Sequence, residues 1–74
     1  MLNCKKGEVW LIKLKDMEDL QPVRIKEIME KTVCVNVGEM FNQQGKIVFC
    51  GDNFNHKCFE KDYLNDILIE RLES

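Results

Sequence analysis

Val23-Arg24-Ile25-Lys26-Glu27-Ile28-Met29-Glu30-Lys31-Thr32-Val33-Cys34-Val35-Asn36-Val37 is the stretch whose reading decides the fold. Val33, Val35 and Val37 recur at every second position, the period of a strand with one buried face. In the segment before them the alternation breaks, because the residue two beyond Ile25 is Glu27. One extra residue at Lys26-Glu27, a β-bulge, restores it and sets Val33, Val35 and Val37 opposite Ile28, Ile25 and Val23. The reading is therefore two antiparallel strands, joined by a tight turn at Glu30-Lys31, of which the first is bent.

Working outward, Glu8-Val9-Trp10-Leu11-Ile12-Lys13-Leu14-Lys15 reads as a strand that opens after Gly7 and closes in the polar loop 16–22. Pairing it with the bent strand sets Leu14 opposite Val23, Ile12 opposite Ile25 and, through the same bulge, Trp10 opposite Ile28. Downstream, Gly38 marks a second bulge, and Asn42-Gln43-Gln44-Gly45 is a hairpin loop before a fourth strand at Lys46 to Cys50. Gly51-Asp52-Asn53-Phe54-Asn55 is a turn cluster. The predicted interior is Trp10, Ile12, Leu14, Val23, Ile25, Ile28, Val33, Val35 and Val37.

The C-terminal segment admits two readings. Phe59, Tyr63, Leu64, Ile67, Leu68 and Leu72 share one face at helical spacing, which would make 59–72 a helix covering a four-stranded bent meander. Alternatively, Glu60 to Asp66 forms one helical turn and Ile67-Leu68-Ile69 begins a fifth strand. The second reading is preferred, because a fifth strand would close a sheet that otherwise leaves two edges open.

This pattern resembles the SH3-like small β-barrels, the architecture of Tudor and KOW-type modules. The features that carry the resemblance are Lys6-Gly7-Glu8-Val9-Trp10, the long first loop, the bulged second strand and Glu60-Lys61-Asp62-Tyr63-Leu64 ahead of the last strand. It implies a single domain over residues 1–74 with about five antiparallel strands. It implies no particular activity, since barrels of this kind carry many. The first loop, Asp16-Met17-Glu18-Asp19-Leu20-Gln21, holds no aromatic residue and speaks against binding of proline-rich peptides. Six aromatic residues spread over 74 positions speak against a methyl-lysine cage.

Composition narrows the function further. A formal charge of −2 gives no general attraction to nucleic acid or anionic membrane. Apolar runs such as Val9–Ile12 fall far short of the roughly 20 residues that span a bilayer. Met1 to Gly7 has no apolar stretch after its charges, which predicts no signal peptide and a cytoplasmic protein. In that compartment Cys4, Cys34, Cys50 and Cys58 are expected as free thiols.

Candidate chemistry is sparse. His56 is the one histidine, and in extended chain it lies roughly 6–7 Å from Cys58, which is long for a nucleophile–base pair. Cys50, His56 and Cys58 are the metal-ligand candidates, but no paired ligands at zinc spacing accompany them. No catalytic residue, cofactor or metal is therefore predicted, and the expected activity is binding. The leading expectation is a small interaction module that docks on another protein through exposed apolar residues such as Phe41 and Phe54. That makes it an adaptor, accessory or inhibitor, with a second copy of the chain among the candidate partners. Its style also resembles small accessory proteins of phages and mobile elements, some of which inhibit host defence proteins. The alternative is a nucleic-acid-associated barrel using Lys13, Lys15, Arg24 and Lys26, with Lys13 opposite Arg24 on the outer face.

Overall fold

The structure, a computed structural model, describes residues 2–73, and residues 52–54 through their backbone only. Five strands and one helix follow in the order β1 (Val9–Ile12), β2 (Gln21–Ile28), β3 (Thr32–Gln43), β4 (Lys46–Glu60), α1 (Lys61–Ile67) and β5 (Leu68–Glu73). All strand pairings are antiparallel, and the sheet runs β4-β3-β2-β1-β5.

The bulge lies where the alternation of β2 breaks. Ile25 pairs with Val35 and Glu27 with Cys34, so Lys26 is the extra residue. Val23, Ile25 and Ile28 consequently face Val37, Val35 and Val33. The turn at Glu30-Lys31 is closed by the Met29 N–H donating to the Thr32 carbonyl over 2.8 Å. An extra residue on one strand bends that strand and increases its twist, and here it lets β2 serve β1 with one half and β3 with the other.

The pairing of β1 corrects the sequence reading. Trp10 lies opposite Val23, Ile12 opposite Gln21 and Val9 opposite Arg24. Thus β1 meets only the part of β2 that precedes the bulge, and Lys13 is not the partner of Arg24. The two registers differ by an even number of residues, and an even slip keeps the same side chains facing inward. Alternation cannot distinguish them. Local hydrogen bonds decide, since the Lys13 N–H donates to Ile67 and the Met17 N–H to Leu14, which carries residues 13–17 away from β2.

The C-terminal segment is helix then strand, so a helix over 59–72 is ruled out. Nor is the barrel closed: β4 and β5 are the two edges of an open sheet. The helix α1 stands between these two strands in the chain. Its seven residues rise roughly 10 Å between the end of β4 and the start of β5. Leu64 and Ile67 of α1 fill the space instead, both fully buried. With Cys4, Ile12, Val23, Ile25, Val33 and Val35 they form the core, against which Trp10, Leu14, Ile28, Val37, Phe59, Tyr63 and Leu68 pack. All nine residues expected inside are among these. Leu72 of the apolar stripe lies on the surface instead.

A disulfide joins Cys34 to Cys58, against the expectation of free thiols, while Cys4 and Cys50 are free. The β3–β4 register sets the two residues directly opposite, with Cα atoms 4.0 Å apart. A sequence separation of 24 residues conceals that proximity.

A buried carboxylate ties the two ends of the chain to the sheet. Glu8 Oε1 accepts the Lys5 N–H at 2.6 Å and the Trp10 indole N–H at 3.1 Å, and Oε2 accepts from Arg71 at 3.2 Å. The indole bond, the Lys5 amide and the Arg71 guanidinium hold its pKa below the ordinary 4.5, against the opposing effect of burial. A carboxyl whose folded-state pKa is lowered adds stability that is complete above its unfolded value and lost as pH falls through the folded one. Replacing Glu8 by Ala should therefore cost about 1–3 kcal/mol near pH 7. The difference from wild type should shrink below pH 4.5, as measured by urea unfolding across pH.

Candidate functional site

Beyond Val37, β3 no longer has β2 beside it, and Gly38–Gln43 pairs with β4 alone. The result is a two-stranded ribbon of residues 38–51 that projects from the five-stranded body. The molecule is correspondingly elongated, 39 × 24 × 23 Å. Its tip is the two-residue turn Gln44-Gly45, closed by the pair Gln43–Lys46. Both turn residues have positive φ, 52° and 81°, as a type I′ hairpin requires, and glycine supplies the second without strain.

The base of the ribbon is tightly built. The register shifts between Asn36–His56 and Gly38–Gly51, so β4 spends residues 52–55 against a single residue of β3. At this crossing Gly38 lies so close to β4 that a Cβ would be driven into the Cys50 carbonyl and to 2.7 Å from both the Gly51 Cα and the Phe49 ring. Phe49 is buried there, with the Arg24 guanidinium 5.4 Å from its ring centre. Gln21 Nε2 donates to the Gly38 carbonyl at 2.7 Å. A wide notch of about 330 Å³ opens beside this crossing, lined by Gln21, Val37, Gly38, Glu39, Cys50 and Asn55.

Outward from that clamp, side chains alternate between two faces. Phe41 and Val48 form a cross-strand pair on one face, flanked by Glu39–Cys50 and Gln43–Lys46; Met40–Phe49 and Asn42–Ile47 lie on the other. Phe41 is 46% exposed, Val48 36% and Ile47 70%. A lone two-stranded ribbon is marginal in water, and this one shows large apolar side chains on both faces. Exposed apolar groups also occur at Met17, Leu20, Met29, Ile69 and Leu72, but among the described residues the register sets no other two of them side by side.

Of the residues anticipated from the sequence, Phe41 belongs to this surface, whereas the side chain of Phe54 lies outside the described residues. Ile47 and Val48 were missed, although Ile47-Val48-Phe49 carries a signal. Three successive apolar residues on a strand cannot all face one side, so an edge strand must show at least one to water. The basic residues are not gathered as expected. Arg24 is half-buried, donating to the Gly7 carbonyl at 2.8 Å and lying 3.7 Å from the Glu73 carboxylate. Lys15 lies 3.7 Å from Asp66 and 5.3 Å from the Tyr63 ring centre. Lys13 is exposed beyond the end of β1, about four strand positions, or roughly 13 Å, from the residue opposite Arg24. Lys26 is exposed at the bulge.

The metal candidates are similarly dispersed. Cys58 is bonded to Cys34, so its sulfur is not a thiolate ligand; His56 faces Asn36, and Cys50 faces Glu39. Among the described residues no three His, Cys, Asp or Glu side chains cluster as metal ligands would, and no helix is long and apolar enough to cross a membrane. Comparison with protein-family models, curated proteins and solved structures finds no match to this chain.

The ribbon surface and its base should differ sharply in their effect on stability. Phe41→Asp and Ile47→Asp should each change the free energy of unfolding by no more than about 0.5 kcal/mol. Phe49→Ala should cost about 3–5 kcal/mol, and Gly38→Ala at least about 1–3 kcal/mol through overpacking. Urea unfolding of the four variants measures all of these.

Proposed function

We propose that this chain is a small, non-enzymatic protein-binding module that docks on another protein through its β3–β4 ribbon, as adaptor, accessory or inhibitor. The observation that carries this reading is the ribbon itself, with Phe41, Val48 and Ile47 exposed on a two-stranded projection whose base is rigidly clamped. Exposed aromatic and aliphatic side chains on a projection are the groups from which binding energy is drawn. The architecture is compatible with that reading without pointing to it. A β4-β3-β2-β1-β5 order, a bent second strand shared between neighbours and a helical turn before the last strand are similar to the SH3-like modules, here with an open sheet and a lengthened hairpin.

The basic surface gives less support to nucleic-acid binding, because Arg24 and Lys15 are each set beside a carboxylate. The test uses the full chain immobilised on a support, followed by a titration against each purified protein that it retains. Phe41→Asp and Ile47→Asp should weaken a specific partner tenfold or more, about 1.4 kcal/mol or above, at unchanged stability. Affinity that ignores both ribbon substitutions would overturn the reading. Binding of a nucleic acid that falls steeply with salt and is lost with Lys13→Glu and Arg24→Glu would replace it.

A further inference from the structure

The outer face of β3 and β4 carries a group of side chains that the ribbon does not use. Cys34 and Cys58 are directly opposed, and so, two residues along the same face, are Asn36 and His56. Beside them Lys26 and Glu27 arrive from the bulge of β2, and the five residues Lys26, Glu27, Cys34, Asn36 and His56 line an open cavity of about 310 Å³. Cys58 is exposed and Cys34 half-buried. Cys58 is thus the exposed half of the disulfide, while Cys34 borders a cavity lined by an ammonium, an imidazole and the Glu27 carboxylate. We propose that Cys34–Cys58 is a redox-active pair that exchanges with dithiol reductants in the folded protein, and that Lys26 and His56 promote its opening.

Two physical arguments carry this. First, the cross-link is not what holds the hairpin together. The ladder continues on both sides of it, from Thr32–Glu60 to Asn36–His56, and Val33 and Val35 on the opposite face are fully buried. Opening the bond therefore leaves the strands paired. Second, the rate of thiol–disulfide exchange rises as the departing thiolate is stabilised, and nearby cationic groups stabilise a thiolate. A reductant thiolate attacks the Cys58 sulfur, the S–S bond breaks, and Cys34 leaves as a thiolate beside the cavity that Lys26 and His56 line together with the Glu27 carboxylate opposite Cys34, then takes up a proton. The second thiol of the reductant, as thiolate, attacks its own sulfur in the mixed disulfide and releases Cys58, which is protonated in turn. Two electrons and two protons pass from the dithiol to the chain, and the reductant becomes a disulfide.

The test begins with the oxidised full chain, exposed to dithiothreitol without denaturant. Thiols are counted by mass after alkylation, and folding is followed by circular dichroism. Two thiols should appear in addition to Cys4 and Cys50 with the spectrum unchanged. Lys26→Ala and His56→Gln should each slow their appearance by about threefold or more. Reduction only after urea has unfolded the chain would overturn the proposal, as would identical rates in the two variants. Four thiols that persist after equilibration with oxidised glutathione would overturn it equally.

Discussion

Between Ile25 and Glu27, β2 has one residue more than the strand it pairs with, and the rest of the sheet is arranged around that excess. The requirement is local: Val33, Val35 and Val37 must meet apolar partners, and Glu27 must not be one of them. An extra residue at Lys26 resolves the conflict by rotating the strand through one position. The bend that results lets β2 give its first half to β1 and its remainder to β3. The same bend wraps the sheet around Ile25, Val35 and the helical residues Leu64 and Ile67, all of which are buried.

A sheet so bent still has ends to secure, and polar groups do that work. Glu8 binds the Lys5 amide, the Trp10 indole and Arg71, so one carboxylate joins the N-terminal turn, β1 and β5. Arg24 holds the Gly7 carbonyl and lies near Glu73, spanning the outer side of the same three segments. Their weights differ. Glu8 is buried and fully engaged, whereas the Arg24–Glu73 and Lys15–Asp66 pairs are partly or wholly exposed, where such pairs contribute little.

The ribbon contrasts with this body. Its base is closely packed where Phe49 meets Gly38 and Gly51, while in its outer part the strand pairs run only between β3 and β4. Close attachment at the base combined with the exposed Phe41–Val48 pair and Ile47 is what makes it the proposed docking surface. Its position on β4 also leaves one strand edge without a partner strand. The Cys34–Cys58 pair lies on the other side of the register shift between Asn36 and Gly38, on the part of the hairpin that belongs to the body. The two proposed sites are therefore separate in place as well as in chemistry.

Much of this was determined by the sequence alone. The bulge, the β2–β3 register, the turn at Glu30-Lys31 and the nine predicted interior residues follow from alternation and turn chemistry, and a helical turn before β5 is the preferred of two readings. These are local signals, and local signals survive folding unchanged. The hairpin loop expected over residues 42–45 is shorter, because Asn42 and Gln43 belong to β3. Tertiary structure decided what alternation leaves degenerate. The β1–β2 register is one case, since an even slip conserves the buried set. The open sheet is another, because the strand pattern alone does not settle whether β4 and β5 pair. The role of Glu8 is a third: nothing in Lys6-Gly7-Glu8 reveals that its carboxylate will be buried beside Arg71, 63 residues away. At the candidate sites, Phe41 was legible as an apolar residue next to a hairpin loop. The opposition of Cys34 and Cys58 was not, because strand register brings them together and the chain between them carries no mark of it.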